Sequence, residues 1–252
     1  MDLPFPRVRP RPETLSNRGC CFSDEDLEQV LRTADDHLRW RDFEAIFPVS
    51  GCAGEYDEQL YFVPLAFAHL AANAMDGREY ASGFVQFFER NADLIGRDEL
   101  RDPAEQAFAA LLAGWTATFE VVHYDAAASA KKGWTIPYLD GVERSLAVTE
   151  LLELLFERPT LEHVGETAVL RLLEAGAPET SAAWFLELAR AMNEGSLYLP
   201  DNVSARAVRA LLSDPLVLSG QYERIRDSLV AAEPSPTYWR DVLVAIGLTA
   251  PA

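Results

Sequence analysis

Apolar side chains recur with a helical period along most of this chain, and the interruptions fall at prolines, glycines and short polar clusters. Ser23 followed by Asp24, Glu25 and Asp26 predicts a helix start, because a hydroxyl can cap the open amides and the helix dipole favours carboxylates in the first turn. Leu27, Val30, Leu31 and Leu38 mark the buried stripe of this helix, which extends towards Trp40. A short helix with Phe43, Ile46 and Phe47 follows, and Pro48 stops it before a loop over 49–54. Residues 55–75 are apolar almost all round beyond Asp57 and Glu58, which predicts a central helix buried on several sides and kinked or divided at Pro64. Gly77 separates it from a helix over roughly 78–94, where Tyr80, Phe84, Phe87 and Phe88 keep the period. Asp102-Pro103 then predicts the start of a long helix whose stripe runs through Phe108, Leu111, Leu112, Trp115, Phe119 and Val122 and which reaches Ala128.

After Asp140 the pattern predicts consecutive helices broken at Pro159, at Gly176 with Pro178, over Gly195 to Pro200, at Asp214-Pro215 and at Pro234 with Pro236. Units beginning near Gly141, Pro178 and Pro215 recur about every 37 residues, close to the length of helical-hairpin repeats. Period-two alternation is missing at length, with Leu197-Tyr198-Leu199 as the short exception. The expected fold is therefore all-α, a multi-helix bundle whose C-terminal half is either irregular or built of hairpin repeats. The expected organisation is an arm over 1–22, an acidic helical unit over 23–128, a linker over 129–139 that holds both lysines, and a helical-hairpin unit over 140–252 that either stands as its own unit or packs as one domain with 23–128. The arm cannot be helical, because Pro4, Pro6, Pro10 and Pro12 remove donors and hold their neighbours extended. Two readings of it are a tail that lies across the acidic body or is left disordered, and a polyproline ligand for a partner domain.

Charge changes this picture most. The net values are +2 over 1–22, −16 over 23–157 and −4 over 158–252, which together make the −18 of the whole chain. Such a field repels nucleic acid and acidic membranes, so neither is expected as a partner. Apolar runs are broken by charge well before the ~18 residues a membrane span needs. The proline-broken, Asp-bearing N-terminus is unlike a secretory signal. Cys20, Cys21 and Cys52 are an odd number with two adjacent, so the expectation is structural thiols in a reducing cytoplasm rather than a disulfide framework. The C-x₂-C spacing of zinc sites is also missing.

Candidate chemistry is sparse. No phosphate-cradling GxxxxGK[ST], no GxGxxG, no HExxH and no GxSxG occurs, and no cofactor is expected. Glu120-x-x-His123 on the long helix would set a carboxylate and an imidazole on neighbouring turns, as in di-iron carboxylate bundles, and is the candidate metal pair. Those bundles carry the motif twice, and here it occurs once. His69, on the buried helix, reads more simply as a core histidine bonded to a neighbour. Trp134, in a loop beside Lys131 and Lys132, is a candidate interface anchor.

The densest charge lies over 23–58, with eleven Asp or Glu against three Arg. One reading is a solvated helix face that maintains solubility. The functional reading is an electrostatic docking surface for a basic partner, formed by Asp35, Asp36, Glu55, Asp57 and Glu58 with Tyr56 and Tyr61 supplying contact area. In charge and helical make-up the chain resembles small acidic bacterial immunity proteins that neutralise basic toxins. That resemblance implies a non-catalytic role and a basic protein partner, and it transfers no site residue. The alternatives are a helical metal-binding protein or enzyme using Glu120 and His123, and a helical-repeat scaffold that binds a peptide along residues 140–247.

Overall fold

The computed structural model describes residues 5–19, 22–122, 141–231 and 236–248. The expected all-α multi-helix bundle is the fold that forms. Among the described residues, β-structure is confined to an antiparallel pairing of β1 (Val121–Val122) with β2 (Gly141–Val142) and a bridge between Asn17 and Ala53. The chain divides into two compact units, Met1–Trp115 with Glu150–Gly165 and Thr116–Thr149 with Glu166–Ala252. The linker expected over 129–139 lies outside the described residues. No described helix is long and apolar enough to cross a membrane.

In the first unit, α1 (Asp24–Arg32) starts as the sequence predicts. Ser23 Oγ accepts from the Asp26 amide, and the Asp26 carboxylate accepts from the Ser23 amide at 2.8 Å. The helix does not continue towards Trp40. Thr33 is extended and donates its hydroxyl back to the Gln29 carbonyl, and after a 3₁₀ turn at Asp35–His37, Leu38 enters the core from outside the helix. α2 (Trp40–Ile46), α3 (Tyr56–Leu60) and α4 (Val63–Ala72) follow. Pro64 occupies the first turn of α4, where its missing amide costs nothing, so it opens this helix rather than kinking a longer one. Phe67 on α4 is the centre of the core: its ring lies 4.9 to 6.0 Å from those of Phe5, Phe84, Phe88 and Phe108.

The break expected at Gly77 falls instead at Asn73, and Gly77 lies inside α5 (Ala74–Arg90). Close packing explains both interior glycines. A Cβ at Gly77 would stand 2.4 Å from Leu70 Cδ2, and one at Gly83 would stand 1.8 Å from the Phe47 carbonyl oxygen. α6 (Ala92–Arg97) leads to α7 (Arg101–Trp115), which ends well short of Ala128. Trp115 closes it by donating to the Leu70 carbonyl at 3.2 Å.

The second unit includes the segment after Trp115. There the Trp184 indole takes the Thr118 carbonyl at 2.8 Å, and Phe119 packs on Trp184 and Trp239, so these residues leave the helical path. After β2 come α8 (Ser145–Phe156) and α9 (Glu162–Arg171), whose residues 150–165 belong to the first unit, and then α10 (Glu179–Asn193), α11 (Val203–Leu212), α12 (Pro215–Ala231) and α13 (Pro236–Ala245) of the second. α10 buries Trp184, Phe185, Leu186 and Leu188 and packs against α11, α12 and α13 alike. A solenoid repeat touches only its neighbours, so this convergence is that of a bundle. Glu187 on α10 is fully buried and fully engaged, accepting from Ser145, from Tyr238 and from both Nε and Nη2 of Arg190.

Gly83→Ala tests the close approach of α5 to the end of α2. Alanine improves helix propensity by about 1 kcal/mol, but overpacking against a backbone carbonyl costs about 1 to 3 kcal/mol. The thermal midpoint is expected to fall, and an unchanged or raised midpoint would mean the two segments stand further apart.

Candidate functional site

Pro6, Pro10 and Pro12 keep residues 5–12 out of a helix, and the chain bends at Arg9. Arg7, Arg9 and Arg11 all reach the acidic face of the first unit. Arg7 Nη1 lies 3.1 Å from Asp35 Oδ2, and its guanidinium stands 5.0 Å from the centre of the Tyr61 ring. Arg9 bridges two carboxylates, Asp57 through Nε and Asp98 through Nη2, each at 2.7 Å. Arg11 donates to Asp35 Oδ1 at 2.6 Å and to the carbonyls of Val30, Leu31 and Thr33, capping the C-terminal end of α1 where the helix dipole favours a cation.

Further along, the Ser16 amide and hydroxyl both donate to Glu58, and Arg18 pairs with Glu55 at 2.6 Å. Main-chain bonds from the Arg18 amide to Cys52 and from the Gly54 amide to Ser16 fix the root of the arm. Phe5 anchors the other end, 5% exposed between Phe67 and Phe88. Half-exposed ion pairs contribute about 0 to 1 kcal/mol each, whereas burying a phenylalanine contributes about 2 to 3 kcal/mol. The aromatic anchor therefore supplies most of the hold, and the arginines set register and position.

Of the residues expected to form a partner surface, Asp35, Glu55, Tyr56, Asp57, Glu58 and Tyr61 lie along the path of the arm. The Tyr61 hydroxyl donates to both oxygens of Asp35, and the Tyr56 hydroxyl donates to Asp98 at 3.2 Å. Burial, reinforced by Asp98, pushes the Tyr56 phenol up to about 12. Asp98 itself is held below the usual carboxylate range, chiefly by the Arg97 guanidinium beside it. Nothing in the sequence singles out Asp98, which sits between α6 and α7. Asp36 is exposed and lines a groove of about 790 Å³ that Asp35 also borders, with Leu38, Trp40, Leu65, His69 and Asp76 among its other residues. His69 Nδ1 is 3.2 Å from the Tyr80 hydroxyl, whose own proton goes to the Ala66 carbonyl at 2.9 Å. Nδ1 must then be the donor, which leaves Nε2 as the acceptor. Burial lowers the proton affinity of His69, and Asp76 and Asp42 oppose that shift.

Two expectations are corrected. Glu120 lies beyond the end of α7, exposed, so the helical spacing that would have joined it to His123 is not formed; His123 and Trp134 lie outside the described residues. The Glu120 carboxyl instead shares a hydrogen bond with Glu143, which raises its proton affinity. Among the described residues, no group of three His, Cys, Asp or Glu is placed to hold a metal ion. Cys52 is disulfide-bonded rather than a free thiol, while Cys20 and Cys21 lie outside the described residues, and the inference of a reducing compartment loses its support. No family model, curated protein or solved structure matches this chain.

The two shifted groups predict separate pH windows. His69 binds protons less readily folded than unfolded, so stability falls as pH drops from about 6.5 towards its lower folded value. Asp98 contributes stability above about pH 4 that is lost on further acidification. Thermal midpoints followed from pH 7 to 3 should show a shallower upper step in His69→Gln and a shallower lower step in Asp98→Asn. Profiles identical to wild type would contradict both assignments.

Proposed function

We propose that this protein is a non-catalytic interaction protein whose acidic N-terminal unit binds a basic partner, in its specific form a basic toxin or effector that it neutralises. The observation that carries this reading is the seating of Arg7, Arg9 and Arg11 on Asp35, Asp57, Asp98 and Tyr61, since a basic partner would meet the same chemistry. Carboxylates that remain partly in water give association rate and selectivity more than affinity. The arm also decides where an encounter begins. Asp36 and Asp76 stay exposed at the groove, and Trp40 and Leu65 between them offer apolar contact area.

The competing readings have less behind them. A metal site at Glu120 and His123 has lost the helical spacing that suggested it, and a peptide-binding solenoid over 140–247 is not favoured by helices that converge on α10.

The test is capture from a lysate of the source organism at low salt, elution by a salt step, and association kinetics with the recovered protein. The expected result is a basic protein released by salt, whose association rate falls on the order of tenfold in Asp36→Lys/Asp76→Lys. Association that responds neither to salt nor to those charge reversals would contradict the reading.

A further inference from the structure

We infer that residues 5–11 act as an exchangeable stand-in for a ligand: the face of Asp35, Tyr61, Asp57 and Asp98 binds an extended partner segment with an aromatic residue followed by arginines at every second position, and the chain's own arm occupies that place until such a segment displaces it. This rests on the interaction reading above and narrows the basic partner to one chemistry.

The receptor groups match arginine in particular. Asp35 accepts from two guanidinium groups, one on each oxygen, and the same Tyr61 ring lies 5.0 Å from Arg7 and 5.9 Å from Arg11. Arg9 spans two carboxylates from two nitrogens of a single planar fork, whereas lysine would have to reach both from one nitrogen. The three arginines alternate along a non-helical segment that bends at Arg9, and Phe5 sets its register through the slot between Phe67 and Phe88.

The way the arm is held makes exchange feasible. Among the described residues, the main chain of 5–15 makes no backbone hydrogen bond to the body, and such pairing begins only at Ser16 and Arg18. Side chains alone hold the arm over this stretch, and a partner segment can reproduce each of those contacts. The root at 16–18 stays fixed while the segment before it peels away. Because the tethered arm competes at an effective concentration on the order of millimolar, a free peptide should bind the wild-type chain poorly.

The experiment uses a labelled peptide of sequence Phe-Pro-Arg-Val-Arg-Pro-Arg-Pro-Glu-Thr-Leu, with binding to full-length protein followed by fluorescence anisotropy. Phe5→Ala/Arg9→Gln, which loosens the chain's own arm, should bind the peptide at least about tenfold more tightly than wild type. That gain should vanish when the arginines of the peptide are replaced by glutamine, and it should shrink when they are replaced by lysine or when Asp57→Asn is added. Should the double variant fail to fold, Arg9→Gln alone keeps Phe5 and Arg11 in place and should show a smaller gain of the same sign. Equal affinity across all chains, or a gain that survives glutamine in place of the peptide's arginines, would overturn the exchange model. If a basic partner is captured but its binding is indifferent to the arm variants, the exchange model falls while the interaction reading stands. If the peptide exchanges as described and no basic partner is captured, the face is exchangeable and it is the interaction reading that fails.

Discussion

The first unit must fold with an acidic face whose carboxylates repel one another, and the arm supplies the cations that make that arrangement tolerable. Asp35 receives Arg7 and Arg11, Asp57 and Asp98 share Arg9, and Glu55 takes Arg18. None of these pairs is strong alone, since each remains partly in water. Their collective value depends on Phe5 and Leu15, which are buried and hold the intervening segment in register. The positive balance of the first 22 residues and the concentrated negative balance that follows are thus two halves of one contact.

Helix packing sets the stage for that contact. α5 approaches α2 and α4 closely because Gly77 and Gly83 offer no side chain, and this draws Phe84 and Phe88 around Phe67. The resulting aromatic core leaves the slot that Phe5 fills. In the second unit the organising element is different: a buried carboxylate, Glu187, satisfied by Arg190, Tyr238 and Ser145 at the centre of helices that converge on α10. A buried charge with every bond made specifies an arrangement more than it stabilises one.

Helix type and the apolar faces were legible because both rest on local periodicity. The capping box at Ser23 and the first-turn carboxylates of α1 follow directly from residue chemistry. Boundaries set by distant contacts were not legible. Phe119 and Val122 continue the helical stripe of α7 on paper, yet the Trp184 indole, far along the chain, claims the Thr118 carbonyl and Val121–Val122 pair as a strand. Gly77 looks like a break and is instead a packing notch, which only the neighbouring Leu70 reveals. For the site, the acidic and aromatic residues were visible in the sequence and an arm across the acidic body was one of its readings, but which carboxylates Arg7, Arg9 and Arg11 take was not, nor was the part played by Asp98. Residue spacing within the arm gives its period; what it faces is a matter of tertiary structure.

The central claim is that the arm lies clamped on this face, and the tryptic bond after Arg7 reports on it directly. Arg9 and Arg11 precede prolines and resist cleavage, so Arg7–Val8 is the bond that opens when the arm peels away. Cleavage there at low salt should be slow, and it should accelerate with added salt and in Asp57→Asn as the ion pairs weaken. Rapid cleavage at low salt that neither condition changes would show an arm that is not held, and would contradict the account.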